Sequence, residues 1–129
     1  MPAGDVASAM STEVLSVGPG HTLRQVAVVM ATARVGSAVV HDTDGAGVGI
    51  ITERDILRSV AANEDLDVET AGNHQTGEVV FAAPTWTLIE AAEAMKRGGF
   101  RHLVVLHEGE VAGIISVRDI VKVWAQDNT

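Results

Sequence analysis

Apolar residues along the chain alternate between two periods. Leu23, Val26, Ala27 and Met30 stand at i, i+3, i+4 and i+7, which is one face of an α-helix. Leu88, Ala91, Ala92 and Met95 stand in the same relation. Thr22 with Gln25, and Thr87 with Glu90, are capping boxes that predict where both helices start. Short apolar runs before them, 14–17 and 79–82, suit strands. After each helix comes a second strand, 35–41 or 100–107, then a Gly-containing turn and a third strand, 48–52 or 111–116. A second helix follows in each half, with Ile56, Leu57 and Val60, or Ile120, Val121 and Trp124, as its apolar side. The pattern predicts an α/β (α+β) protein that runs β-α-β-β-α twice.

The two runs are one sequence repeated. Pro19, Thr22, Leu23, Ala27, Met30, Val39 and Val40 return 65 positions later as Pro84, Thr87, Leu88, Ala92, Met95, Val104 and Val105. Gly49-Ile50-Ile51-Thr52-Glu53-Arg54-Asp55-Ile56 returns 64 positions later as Gly113-Ile114-Ile115-Ser116-Val117-Arg118-Asp119-Ile120. The one-residue difference falls in the turn Asp42-Thr43-Asp44-Gly45, which shortens to Glu108-Gly109-Glu110. The repeats are 1–64 and 65–129, joined at the acidic stretch around Asn63-Glu64-Asp65-Leu66-Asp67. A unit of that size buries too little surface to be comfortably stable alone. The expectation is one compact body of two halves related by a pseudo-twofold axis, with two similar clefts.

Composition narrows the function classes. The 129 residues are 47% hydrophobic but only 3% aromatic, so the core is built from small aliphatics. There is no cysteine, which removes disulfides, thiol nucleophiles and Cys-ligated metals. The formal charge of −8 disfavours nucleic acid or an anionic membrane as partner. No apolar run approaches a transmembrane span and no signal-like leader is visible, so the expected location is the cytoplasm. No Ser-His-Asp set, P-loop or convergent carboxylate pair is present, so the chain is expected not to be an enzyme.

The segment that carries chemistry is Gly-Ile-Ile-[Thr/Ser]-x-Arg-Asp, present in both halves. Its Thr52 or Ser116 falls where a buried strand hands over to a helix. Unpaired N–H groups and the helix dipole make that place an anion site. Arg54 and Arg118 add forked cations suited to phosphate. Asp55 and Asp119 can accept two hydrogen bonds from a vicinal diol. Hydroxyl, guanidinium and carboxylate within four residues suit a phosphorylated ribose. The competing reading is a helix cap, because Thr-x-x-Asp is also an N-cap pattern. The capping boxes at Thr22 and Thr87 use the longer Gln and Glu, and no cap requires an Arg. The two roles can coexist.

These ordered motifs resemble the CBS-domain family, and the chain looks like a stand-alone CBS pair (Bateman module). Val6-Ala7-Ser8-Ala9-Met10-Ser11 resembles the family's lead-in, and Val68-Glu69-Thr70-Ala71-Gly72-Asn73 is a weaker second copy. The resemblance implies adenosine-containing ligands: AMP, ADP, ATP or S-adenosylmethionine, with no obligatory cofactor. It implies that Asp55 and Asp119 hold ribose hydroxyls and that Thr52, Ser116, Arg54 and Arg118 meet phosphate. Arg101 and His102 would reach phosphate from the neighbouring strand. Adenine would lie against Val14 or Val80 and the Ile pairs that include Ile51 and Ile115. Val39 and Val104 depart from a proline frequent in the family. Gly36-Ser37 stands where the second repeat has Arg101-His102, so the two sites need not be equally occupied.

His102 has no partners at metal-ligand spacing, and His41, Asp42 and Asp44 read as an ordinary turn, so no metal site is expected. His21 and Trp86 occupy equivalent positions with packing roles. Val28, Val29 and Val123 lie off the helical stripes and hint at a second buried face, as a homodimer would supply. The functional expectation is a ligand sensor. The alternative is a structural oligomerisation module with non-functional sites.

Overall fold

The computed structural model describes residues 4–42, 47–76 and 80–127. The elements run α1 (Val6–Ala9), β1 (Ser16–Val17), α2 (Leu23–Ala33), β2 (Ser37–Asp42), β3 (Gly47–Thr52) and α3 (Glu53–Ala61). They continue as α4 (Ala71–His74), β4 (Phe81–Ala82), α5 (Leu88–Gly98), β5 (His102–His107), β6 (Glu110–Ser116) and α6 (Val117–Asp127). The twice-run β-α-β-β-α order is present, with a one-turn helix leading into each run. The predicted turn at 43–46 and the run's first residue, Val79, lie outside the described residues.

Two three-stranded sheets form, β1-β2-β3 and β4-β5-β6. In each, the first strand pairs parallel with the second, across a helix, and the second pairs antiparallel with the third, across a hairpin. The first strands are short, so Val14 and Val80 stand just outside β1 and β4.

The helix starts follow local chemistry. Gln25 N–H donates to Thr22 Oγ1 at 3.1 Å and Thr22 N–H donates back to Gln25 Oε1 at 2.9 Å. Glu90 and Thr87 make the same pair at 3.1 and 3.0 Å. Each helix then ends in a left-handed residue: Gly99 at φ 72° after α5, but Arg34 at φ 59° after α2. A side chain in that conformation costs roughly 1–2 kcal/mol that glycine does not incur.

The chain divides into two compact units. One is continuous, Leu15–Val79. The other is discontinuous, Met1–Val14 with Val80–Thr129. Each has its own core. In the continuous unit Leu23, Val26 and Met30 of α2 meet Ala38, Val40 and Ile51 of the sheet, together with Ala71 of α4. In the discontinuous unit Leu88, Ala91 and Met95 of α5 meet Leu103, Val105 and Ile115, together with Val6 of α1. Fully burying one such side chain contributes about 1.5–3 kcal/mol.

The compact units are therefore not the sequence repeats. The lead-in helix of the first repeat packs with the elements of the second, and the lead-in of the second packs with the elements of the first. The backbone bonds show this directly. In the discontinuous unit Val6 N–H donates to Trp86 O and Ala7 N–H to Pro84 O, at 2.8 and 3.0 Å. In the continuous unit Ala71 N–H donates to His21 O and Gly72 N–H to Pro19 O, both at 2.8 Å. This gives His21 and Trp86 their shared role: their carbonyls receive a lead-in helix. The Trp86 side chain also packs against its unit's core.

One expectation about the second helices is corrected. Leu57, Val60, Val121 and Trp124 do not face the cores; they are 50–66% exposed. The inward apolar contacts come from Ile56 of α3 and from Ile120 of α6. Val123, expected on an outer face, packs against the core of the discontinuous unit instead. A short helix lying on a three-stranded sheet presents only a narrow stripe to it, so the rest of its apolar side stays outward. Val28 and Val29 are also exposed.

Candidate functional site

Each copy of the motif sits where the last strand of a sheet becomes a helix. In the continuous unit Thr52 ends β3, is paired with Ser37 at the start of β2, and caps α3. In the discontinuous unit Ser116 ends β6, is paired with His102 at the start of β5, and precedes α6.

Both positions are closed by a reciprocal cap. Thr52 N–H donates to Asp55 Oδ2 at 2.8 Å, Thr52 Oγ1 donates to the same oxygen at 3.1 Å, and Asp55 N–H donates to Thr52 Oγ1 at 3.4 Å. Ser116 and Asp119 repeat these contacts at 2.8, 3.0 and 3.2 Å. The shorter aspartate thus reaches the N-cap N–H as well as Gln25 and Glu90 do, at 2.8 Å against 2.9 and 3.0 Å. The short carboxylate in each copy of the motif is a capping residue, contrary to expectation. Oδ1 of each aspartate takes no part in the cap.

A second first-turn donor is also occupied. Glu53 N–H donates to Gly36 O, and Val117 N–H donates to Arg101 O, both at 3.0 Å. Anchoring of this kind ties the start of β2 or β5 to the helix start, so residues 36–37 and 101–102 stand beside the motif. Two of the N-terminal donors at each helix are therefore used by the protein itself, which reduces what an anion could take from the backbone.

The site ends differ in charge. In the discontinuous unit Arg101 and Arg118 are exposed, Asp119, Ser116 and His102 are half-buried, and Val117 opens α6. In the continuous unit Arg54 is exposed and Thr52 and Asp55 are half-buried, but Gly36 replaces Arg101 and Glu53 replaces Val117. A Cβ on Gly36 would lie 3.3 Å from Glu53 Oε1, so that carboxylate occupies the space beside the glycine. With histidine neutral, the arginines outnumber the acids by one at the Ser116 end, and the acids outnumber the arginine by one at the Thr52 end. Glu53 was not singled out by the motif reading; its signal was the one variable position between hydroxyl and arginine.

The apolar members separate. Val80 is 37% exposed, beside β4, and Val14 is half-buried. Ile51 and Ile115 are 0% exposed and belong to the two cores. Strand alternation turns their side chains away from their neighbours Ile50 and Ile114, so they offer no exposed apolar surface to a ligand. Thr52, Arg54, Asp55 and Ile51 lie in the continuous unit; Val14, Val80, Arg101, His102, Ile115, Ser116, Arg118 and Asp119 lie in the discontinuous one.

The motif glycines have a packing reason. A Cβ on Gly113 would come within 2.6 Å of Ser11 O, and one on Gly49 within 2.0 Å of Gln75 Oε1 and 3.0 Å of Thr76 O. Ser11 and Ile114, and Thr76 and Ile50, exchange backbone hydrogen bonds of 2.8–3.1 Å. The glycine in each copy lets the lead-in chain lie against the third strand. Among the described residues no helix is long and apolar enough to cross a membrane.

The comparisons with known proteins agree with this construction. A family model for the CBS domain matches twice, at residues 3–62 and 72–126. The solved CBS-domain containing protein ATU1752 from Agrobacterium tumefaciens is 32% identical, with a TM-score of 0.85 over 96% of this chain and 95% of that one. The CBS domain protein PAE2072 from Pyrobaculum aerophilum, solved in complex with AMP, is 34% identical, with a TM-score of 0.81 over 90% of this chain and 89% of that one. An uncharacterized 17.7 kDa protein of Acidianus ambivalens is 35% identical over 118 residues, which are 91% of this chain and 71% of that protein. Further curated relatives are matched over only 19–44% of their own length. Two matches of one domain model, each spanning one run of the β-α-β-β-α order, place the chain in the CBS-domain family.

Proposed function

We propose that this chain is a regulatory module, read as repeats 1–64 and 65–129, that binds an adenine nucleotide and has no catalytic activity of its own. The observation that carries the reading is the Ser116 end of β6. A hydroxyl, two arginines, a histidine and an aspartate stand there on adjoining turns of chain. Arg118 and Arg101 supply the charge-assisted donors that phosphate prefers. Asp119 keeps Oδ1 outside its cap, where it can accept from a ribose hydroxyl. Val80 and Val14 supply apolar surface for a base, while Ile51 and Ile115 support the strands from within the cores. Thr52, Arg54 and Asp55 form the second, less cationic copy. The AMP complex of the Pyrobaculum aerophilum protein, 34% identical, supports the ligand class. S-adenosylmethionine lacks the phosphate that the arginines suit, so AMP, ADP and ATP rank ahead of it.

The exposed apolar residues Val28 of α2 and Leu57 of α3, and Val121 and Trp124 of α6, support a homodimer. Light scattering on the purified protein tests it.

Calorimetric titration with AMP, ADP, ATP and S-adenosylmethionine tests the ligand. The expected result is saturable binding of at least one nucleotide that weakens as salt is raised. Asp119→Ala is expected to abolish it while losing about 0.5–2 kcal/mol of stability with the cap. Absence of binding by every compound at millimolar concentration would leave the oligomerisation module as the function.

A further inference from the structure

Outside the candidate site, three ligand-bearing side chains converge in the continuous unit. They are Glu64, Glu69 and His74, and one donor atom from each lies within 4.8 Å of the others. His74 Nε2 is 2.8 Å from Glu69 Oε1 and 3.9 Å from Glu64 Oε1. His74 and Glu69 are partly buried, at 20% and 27% side-chain exposure, and Glu64 is exposed at 36%.

Their backbones are held independently of one another. Glu64 follows α3 and its N–H donates to Ser59 O at 3.1 Å. Glu69 accepts from Leu23 N–H at 2.9 Å and donates to Asp65 O at 2.9 Å. His74 closes α4, whose first two residues donate to His21 O and Pro19 O. The three donors are thus brought together by the fold of this unit and not by one flexible loop.

The hydrogen bonding of the cluster is incomplete by its own chemistry. Nε2 of a histidine carries at most one hydrogen. At 2.8 Å that hydrogen goes to Glu69, and Glu64 faces the same atom at 3.9 Å without a share in it. A divalent cation removes the conflict: neutral His74 binds it as the tautomer with its hydrogen on Nδ1, which leaves the Nε2 lone pair for the cation, and the cation neutralises both carboxylates. Zinc–nitrogen and zinc–oxygen bonds near 2.0–2.2 Å place neighbouring donors about 3–3.5 Å apart, between the two separations seen here. An imidazole in the set favours zinc and its transition-metal neighbours over magnesium or calcium.

We propose that Glu64, Glu69 and His74 bind a zinc-class divalent cation, with water completing the coordination. The ligands come from the end of α3, the connecting loop and α4, so the cation clamps the stretch of chain that joins the two sequence repeats. It is a structural clamp, separate from the nucleotide site and independent of it.

Titration of the tag-free full chain with zinc chloride in a non-coordinating buffer tests the proposal. One zinc per chain is expected. Glu64→Gln is expected to weaken binding about tenfold or more while leaving the Glu69–His74 hydrogen bond and the zinc-free melting temperature unchanged. His74→Gln is expected to abolish binding; should it fail to fold, Glu64→Gln carries the test alone. His107→Gln, at an exposed His–Glu pair with no third ligand among the described residues, is expected to bind as the parent does. No saturable binding up to about 100 μM zinc would overturn the proposal. So would zinc affinity unchanged in Glu64→Gln, or lost equally in His107→Gln.

Discussion

The caps at Thr52 and Ser116 match bond for bond, yet the strand ends they close carry opposite charge. The match comes from a hydroxyl and an aspartate three residues apart, which any helix start can use. The difference comes from two positions outside the cap: Gly36 against Arg101, and Glu53 against Val117. The cap itself is therefore the same in both copies, and what differs is the charge beside it. A phosphate approaching the Thr52 end meets the Glu53 carboxylate beside one arginine. At the Ser116 end it meets two arginines and no such acid.

The largest expected effect concerns how closely the two units match in packing. Gly113→Ala places a Cβ against the Ser11 carbonyl, a backbone atom that cannot swing away, at 2.6 Å. Gly49→Ala meets the movable end of Gln75 first, and the Thr76 carbonyl only at 3.0 Å. Overpacking of this kind costs about 1–3 kcal/mol, and Gly113→Ala is expected at the upper end of that range with Gly49→Ala below it. Urea denaturation of both variants checks the order. Equal losses would show that the lead-in chain yields as easily in one unit as in the other.

The charge difference comes next. Arg101→Ala is expected to weaken nucleotide binding about tenfold, the loss of one charge-assisted hydrogen bond. Arg54→Ala is expected to cost less, because its charge is already opposed by Glu53. Calorimetry on the two variants decides this, and a greater loss from Arg54→Ala would reverse the assignment of the stronger site. The smallest effect lies at the helix ends. Arg34→Gly gives α2 the left-handed residue that α5 already has in Gly99, and is expected to raise stability by up to about 1 kcal/mol. A thermal scan showing a loss would mean that the Arg34 side chain contributes more than its backbone strain costs.

The elements that a reader of the sequence could place were those with local causes. Thr22 with Gln25 and Thr87 with Glu90 close within four residues, so the starts of α2 and α5 agree with expectation. The same holds for the faces bearing Leu23, Val26 and Met30, and Leu88, Ala91 and Met95. The second helices were less legible. Leu57 and Val121 look like core residues in a helical period, but a narrow contact with the sheet leaves them outside. Ile51 and Ile115 were legible as part of the motif and not as core, because only the pairing register says which of two adjacent isoleucines turns inward.

The sequence by itself determined the repeated order of strands and helices, the capping boxes at Thr22 and Thr87 and the position of the doubled motif. Each of these depends on residues a few positions apart. Only the tertiary structure decided that the lead-in helices trade places, since the bonds of Val6 to Trp86 and of Ala71 to His21 join residues dozens of positions apart. It alone showed why Gly49 and Gly113 are glycine, because the passing chain belongs to the other repeat. It also brought Glu64, Glu69 and His74 together across five-residue gaps that match neither a helical nor a strand spacing. Contacts of that range are selected by how buried surfaces fit, and no local pattern records them.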